Sequence, residues 1–208
     1  MPAPRQLTHN SLNRAIRHLI RRDPDLATIV RTHGAPPLWG RRPGFAALVR
    51  IILGQQVSQA AGDTMFYRLR THAGEVTAQH VVDFGIAGMR SIGFTGQKAS
   101  YCHGLALEVL GGELDLSAIA RADDTIGMTR LLAVRGLGRW SVDVYYLMAL
   151  RRPDVWPHGD LALAIAVHEV KRLRARPDHP RLTKLAEQWA PYRAVAARIL
   201  WQHYLGTR

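Results

Sequence analysis

Cysteine is almost absent from this chain. Cys102 stands alone among 208 residues, which excludes an intrachain disulfide, a CxxC redox pair and any multi-cysteine zinc or iron–sulfur site built within the chain. No stretch approaches the ~18 uncharged apolar residues that a membrane span needs. The opening "MPAPRQLTHN" also lacks the apolar core of a secretory leader. The expectation is a soluble, cytoplasmic protein in a reducing compartment with no membrane partner. Ten histidines show no HExxH or comparable spacing, so no catalytic metal is expected. Sustained period-2 alternation, internal repeats and low-complexity tracts are missing as well. Acidic residues are few: 16 Asp and Glu face 28 Lys and Arg, a net charge of +12 that favours a polyanionic partner, nucleic acid before membrane. Only Lys98, Lys171 and Lys184 are lysines, a bias that coding composition alone can produce, so the net excess carries the argument.

What is present is helical periodicity, and 47% hydrophobic content is enough to bury a core. Leu12, Ile16, Leu19 and Ile20 recur at helical spacing; Asp23-Pro24 then supplies an N-cap with proline at the first helical position, and Gly34 closes that second helix. A Pro/Gly-rich loop at 34–44 precedes "FAALVRIILG", apolar nearly all round and therefore a buried helix. Ser58 caps the next helix, through about Thr71, and helices are expected near 78–84, 97–110, 124–133 and 139–151 and in the apolar segments beyond. The fold class is all-α.

"AVRGLGRWSV" (133–142) places Gly136 and Gly138 between two of these helices. Glycine admits a positive φ and lets an anion approach backbone N–H groups at a helix start. Gly136 as a plain helix-ending glycine, with Gly138 incidental, is the alternative. Twenty positions after Trp140, "VWPHGDLAL" delivers Asp160 to the start of an apolar helix, where an ordinary N-cap also stands open.

Together these motifs, with "IILGQQVSQAA" (51–61), "SIGFTGQKASY" (91–101) and "PYRAVAARILWQHY" (191–204), resemble the helix-hairpin-helix DNA glycosylase superfamily, and within it the alkylpurine branch, over about residues 35–205. The resemblance implies one glycosylase unit over 1–208, with two helical lobes flanking a DNA-binding cleft. One lobe is expected from 1–40 plus 175–208, the other from 45–170 carrying the hairpin of 124–151. The partner implied is double-stranded DNA with a damaged base, and a monomer suffices. The extra N-terminal sheet domain of longer relatives is expected to be missing.

The same resemblance assigns roles. Asp160 is the catalytic carboxylate; Trp140 and Trp201 line the pocket for an extruded base, to which Trp39 is added as a candidate from its place in the Pro-rich loop and not from the resemblance; Gln56, or else Gln55, wedges into the gap left behind. Gly136, Gly138, Ser141, Arg139 and Lys98 contact phosphate, and the carbonyls of Leu132, Val134 and Leu137 can hold a sodium or potassium ion. No other cofactor is implied. Superfamily members that also cut the backbone carry a lysine where this chain has Trp140, so hydrolysis without lyase chemistry is implied. A pocket tyrosine of the family falls at Val144. Each aromatic has a packing alternative, to which Tyr145 and Tyr146 are left, and Asp143 is expected solvated or paired with an arginine. His158 is read as a loop residue and Cys102 as a buried apolar filler. A non-catalytic DNA-binding module and a glycosylase for oxidised or deaminated bases remain the rival functions.

Overall fold

The computed structural model describes residues 6–208; the first five, half of the segment read for a leader, lie outside them. Among the described residues there are twelve α-helices, one 3-10 turn and no strand. The helices divide into two compact units: residues through Gly40 with Tyr146–Arg208, and Arg41–Tyr145.

In the first unit, α1 (His9–Arg22) starts at Thr8, whose side chain forms a capping box with Ser11, and buries Leu12, Ala15, Ile16 and Leu19 on one face. Asp23 and Pro24 open α2 (Pro24–His33), and Gly34, at φ +79°, ends it. α10 (Leu161–Val170) and α11 (His179–Ala186) follow the loop after residue 150, and a 3-10 turn, Glu187–Trp189, leads towards α12 (Arg193–Gly206). Ala194 to Leu200 are buried without a break, so α12 is the central post against which α1, α2 and α10 pack.

A polar hub is set into this apolar core. Asp23 is 4% exposed, accepts from Lys171 Nζ on both oxygens at 2.8 Å and from Trp189 Nε1 at 2.8 Å, and caps Leu26. Burial pushes its carboxyl up, but the Lys171 and Trp189 hydrogen bonds and the Lys171 charge outweigh burial and hold it below its ordinary value. A lowered native value stabilises the fold above the ordinary carboxylate range, and that stabilisation is lost as pH falls through the native value. Asp23→Asn is expected to cost about 1.5–3 kcal/mol at neutral pH. In denaturant titrations the gap to wild type closes below about pH 4.

In the second unit, α3 (Phe45–Gly54) buries seven of its ten residues and packs on α4 (Gln59–Ala73, capped by Ser58) and on α6 (Gly96–Leu110). α5 (Ala78–Ser91) runs past its expected end through a kink at Gly85, φ +68°. A short α7 (Leu116–Arg121), capped by Asp115, lies between the helices expected near 97–110 and 124–133. α8 (Asp124–Ala133) and α9 (Arg139–Met148) carry the hairpin, and the division between the units falls within α9. The boundary expected near 170 therefore moves to 145/146: Leu163, Ala164, Ala166 and Val167 of α10 share a core with α12, which puts Asp160 in the unit without the hairpin.

Candidate active site

Between α8 and α9 the chain turns through Val134 to Gly138, closed by a Leu137 N–H to Val134 carbonyl bond of 3.1 Å. Gly136 takes φ +96°, and a Cβ there would run into the Tyr101 ring, so sterics and backbone both demand glycine. Gly138 is different: it is exposed, and a Cβ would meet nothing within 4 Å. Nothing in the protein's packing demands glycine at this position.

Gln55 braces this turn. Its Nε2 donates to the Gly136 carbonyl and to Ser141 Oγ, each at 2.8 Å. Ser141 is 2% exposed, so its hydroxyl belongs first to this brace rather than to an exposed phosphate contact. Gln56, one residue on, is exposed at φ +56°, a left-handed conformation that costs a non-glycine residue about 1–2 kcal/mol. The two glutamines thus separate: Gln55 is structural, and Gln56 is presented outward.

Lys98 is corrected by the structure. It is buried, and its Nζ donates to the Leu53 carbonyl at 2.6 Å near the end of α3, so it closes a helix end instead of reaching for phosphate. Arg139 is more than half exposed and holds the buried Asp143 through Nε at 3.0 Å, the arginine-paired alternative and not the solvated one. Arg135 lies over the Tyr101 ring at 5.9 Å. Tyr145 is buried, its hydroxyl accepting from the Gly44 N–H. Tyr146 and Val144 are buried as well, and burial pushes the Cys102 thiol up to about 12.

In the other unit, Asp160 caps α10. Its Oδ1 accepts from the Leu163 N–H at 2.9 Å and from Trp201 Nε1 at 3.2 Å, and the residue is 7% exposed. The cap is real, and the indole bond is one a plain cap does not need. Gly159 takes φ +75°, a backbone conformation that favours glycine, and a Cβ there would come 2.6 Å from the His179 ring, which stacks on His158 with centroids 5.1 Å apart. A cavity of about 380 Å³ opens here, lined by Gly159, Asp160, Arg176 and His179 among others.

Trp201 is half-buried on α12, and Trp39 is half-buried in the loop before the second unit. Trp140 is half-buried on α9 in the hairpin unit. Arg198 escaped the sequence reading: it is fully buried one turn before Trp201 and donates to the Trp39 carbonyl at 2.6 Å and the Leu147 carbonyl at 2.9 Å. Burial, with the Arg151 charge, pushes its guanidinium down to about 10. An arginine inside "AVAARILW" with no acid at helical spacing was the available signal.

The chain is similar to known proteins. DNA-3-methyladenine glycosylase 1 of Schizosaccharomyces pombe is 26% identical over 78% of this chain and 73% of its own length. An alkylbase DNA glycosidase-like protein of the same yeast is 25% identical over 91% of this chain and 92% of its own. The S. pombe 3-methyladenine DNA glycosylase solved with abasic DNA superposes with a TM-score of 0.80 at 26% identity, covering 91% of this chain and 95% of that one. The family model for HhH-GPD superfamily base excision DNA repair proteins matches residues 49–191, from α3 through the hairpin and the Asp160 loop, and the chain belongs to that superfamily.

Proposed function

We propose that this protein is a DNA glycosylase that flips an alkylated purine nucleotide out of the duplex and hydrolyses its N-glycosidic bond, without cutting the backbone. The observation that carries the proposal is the Asp160 carboxylate, fixed between the Leu163 amide and the Trp201 indole. Bond cleavage builds positive charge on the sugar, and a carboxylate beside the anomeric carbon stabilises that charge or orients the attacking water. N3- or N7-alkylation makes the purine cationic and hence a good leaving group, so a second carboxylate is unnecessary. Trp201, partly buried against the core, and Trp140 stay pocket candidates by resemblance, and an indole face would give such a base cation–π stacking. Because Trp140 has no amine, the chain cannot form a Schiff base there.

DNA is held, on this reading, by the Gly136 and Gly138 N–H groups and Arg139, contacts that position the strand without reading sequence. The carbonyls of Leu132, Val134 and Leu137 are neutral oxygen donors suited to a weakly held sodium or potassium ion bridging to phosphate. Val134 already accepts one N–H and keeps its second lone pair. Gln56 would fill the space of the extruded base. Gln56→Ala is expected to slow single-turnover excision about tenfold, since part of the few kcal/mol cost of flipping goes uncompensated. Its melting temperature should stay near that of the wild type.

Release rates from duplexes carrying 7-methylguanine, ethenoadenine, hypoxanthine, uracil or 8-oxoguanine test the reading. The methylated, cationic base is expected to leave fastest, with strands intact until alkali treatment. Faster release of 8-oxoguanine or uracil would move the activity to oxidised or deaminated bases, and tight binding with no release would leave only a DNA-binding module.

A further inference from the structure

The Asp160 unit carries a concentration of positive charge that none of the roles above uses. Between the end of α10 and the body of α11, Arg172, Arg174, Arg176, Arg181 and Lys184 are all exposed, against a single acid, Asp178. Asp178 is engaged in capping α11. Among the described residues none of the five cations forms an ion pair. The segment is not a loose tail: Pro177 is buried, Leu182 is 2% exposed in the core, and Leu173 packs against that core. The cations are thus displayed on a fixed frame.

Position separates this ribbon from an ordinary solvated face. Arg176 and His179 line the same cavity as Asp160, and Gly159 lets the His179 ring lie against the backbone that delivers that carboxylate. A carboxylate set against the anomeric carbon of a flipped nucleotide is one sugar away from the phosphates on both sides, and three anions so close repel one another. Arg176, sharing the cavity with Asp160, would relieve that repulsion, and with the His179 ring N–H as a second donor would reach those phosphates.

We propose that residues 172–184 form a second DNA-backbone contact, on the unit that carries Asp160, which takes the phosphodiesters flanking the lesion nucleotide through Arg174, Arg176 and His179. The inference rests on the glycosylase reading for its geometry, but its test reads binding alone.

The full-length chain is titrated with a duplex containing one tetrahydrofuran abasic-site analogue over a range of salt. Each lost phosphate contact lowers the slope of log K against log salt by about 0.9, so Arg174→Gln with Arg176→Gln is expected to lower it by about 1.8. Arg14→Gln with Arg17→Gln, an equal charge loss on the exposed face of α1, should leave the slope at the wild-type value. An unchanged slope in the ribbon variant, or equal slope losses in the two variants, would overturn the proposal and reduce the ribbon to net charge. A slope loss confined to the ribbon variant supports the contact even if no lesion of the panel above is released, an outcome in which the glycosylase reading alone would fall.

Discussion

Gly136→Ala is expected to destabilise the chain by about 2–4 kcal/mol and to weaken duplex binding by tenfold or more. Alanine at φ +96° is strained whatever surrounds it, and here its methyl group would also enter the Tyr101 ring. The two contributions can be parted by a double-mutant cycle. Adding Tyr101→Ala removes the ring but leaves the Tyr101 Cβ, 2.8 Å from the new methyl group, and the backbone strain, so only part of the loss returns and a coupling of about 1–2 kcal/mol should appear between the two positions. Gly138→Ala is the contrast: a methyl group there meets nothing in the protein, so the fold should lose under about 1 kcal/mol. If the Gly138 N–H group meets a phosphate, DNA affinity should still fall. Chemical denaturation and fluorescence anisotropy with a labelled duplex read both effects, and equal stability losses at the two glycines would contradict the assignment.

The second large effect is chemical. Asp160→Asn should lower single-turnover excision by about 10²–10³ or more, the scale on which losing one electrostatic partner of a developing charge is felt. Asparagine caps a helix nearly as well as aspartate and keeps an oxygen for the Leu163 and Trp201 donors, so melting should barely move. DNA affinity should hold or rise once a negative charge is removed from beside the backbone. Asp160→Ala should show the same loss of excision plus about 0.5–2 kcal/mol for the missing cap. Activity within a few-fold of wild type in the asparagine variant would make Asp160 a cap and nothing else.

Local features were the legible ones. Asp23 with Pro24, Gly34 and Ser58 each mark a helix end by chemistry that acts within a few residues, and the structure places caps at all of them. The family could be read because several short motifs occur in a fixed order, and the model match at 49–191 spans the hairpin and aspartate segments. Long-range partnerships were hidden. Periodicity says that α10 has apolar faces but not that they join α12, and so a boundary expected near 170 lies at 145/146 in the fold. Lys98 opens a helix in a basic protein just as a phosphate ligand would; its carbonyl partner lies 45 residues away in sequence. Gln55 and Gln56 are equivalent on paper, and only the fold shows one braced against Gly136 and the other turned outward at a positive φ. Arg198 hides in the same way, since its acceptors are backbone carbonyls, which have no sequence signature.

The most direct measurement is chromatography of free bases after incubating the protein with methylated duplex DNA, with strand integrity followed in the same samples. Time-dependent appearance of 3-methyladenine and 7-methylguanine, abolished by Asp160→Asn and unaccompanied by nicking, is the predicted result. DNA that is bound with its methylated purines still attached after many half-lives of the complex, or an asparagine variant that releases them as fast as wild type, would contradict it.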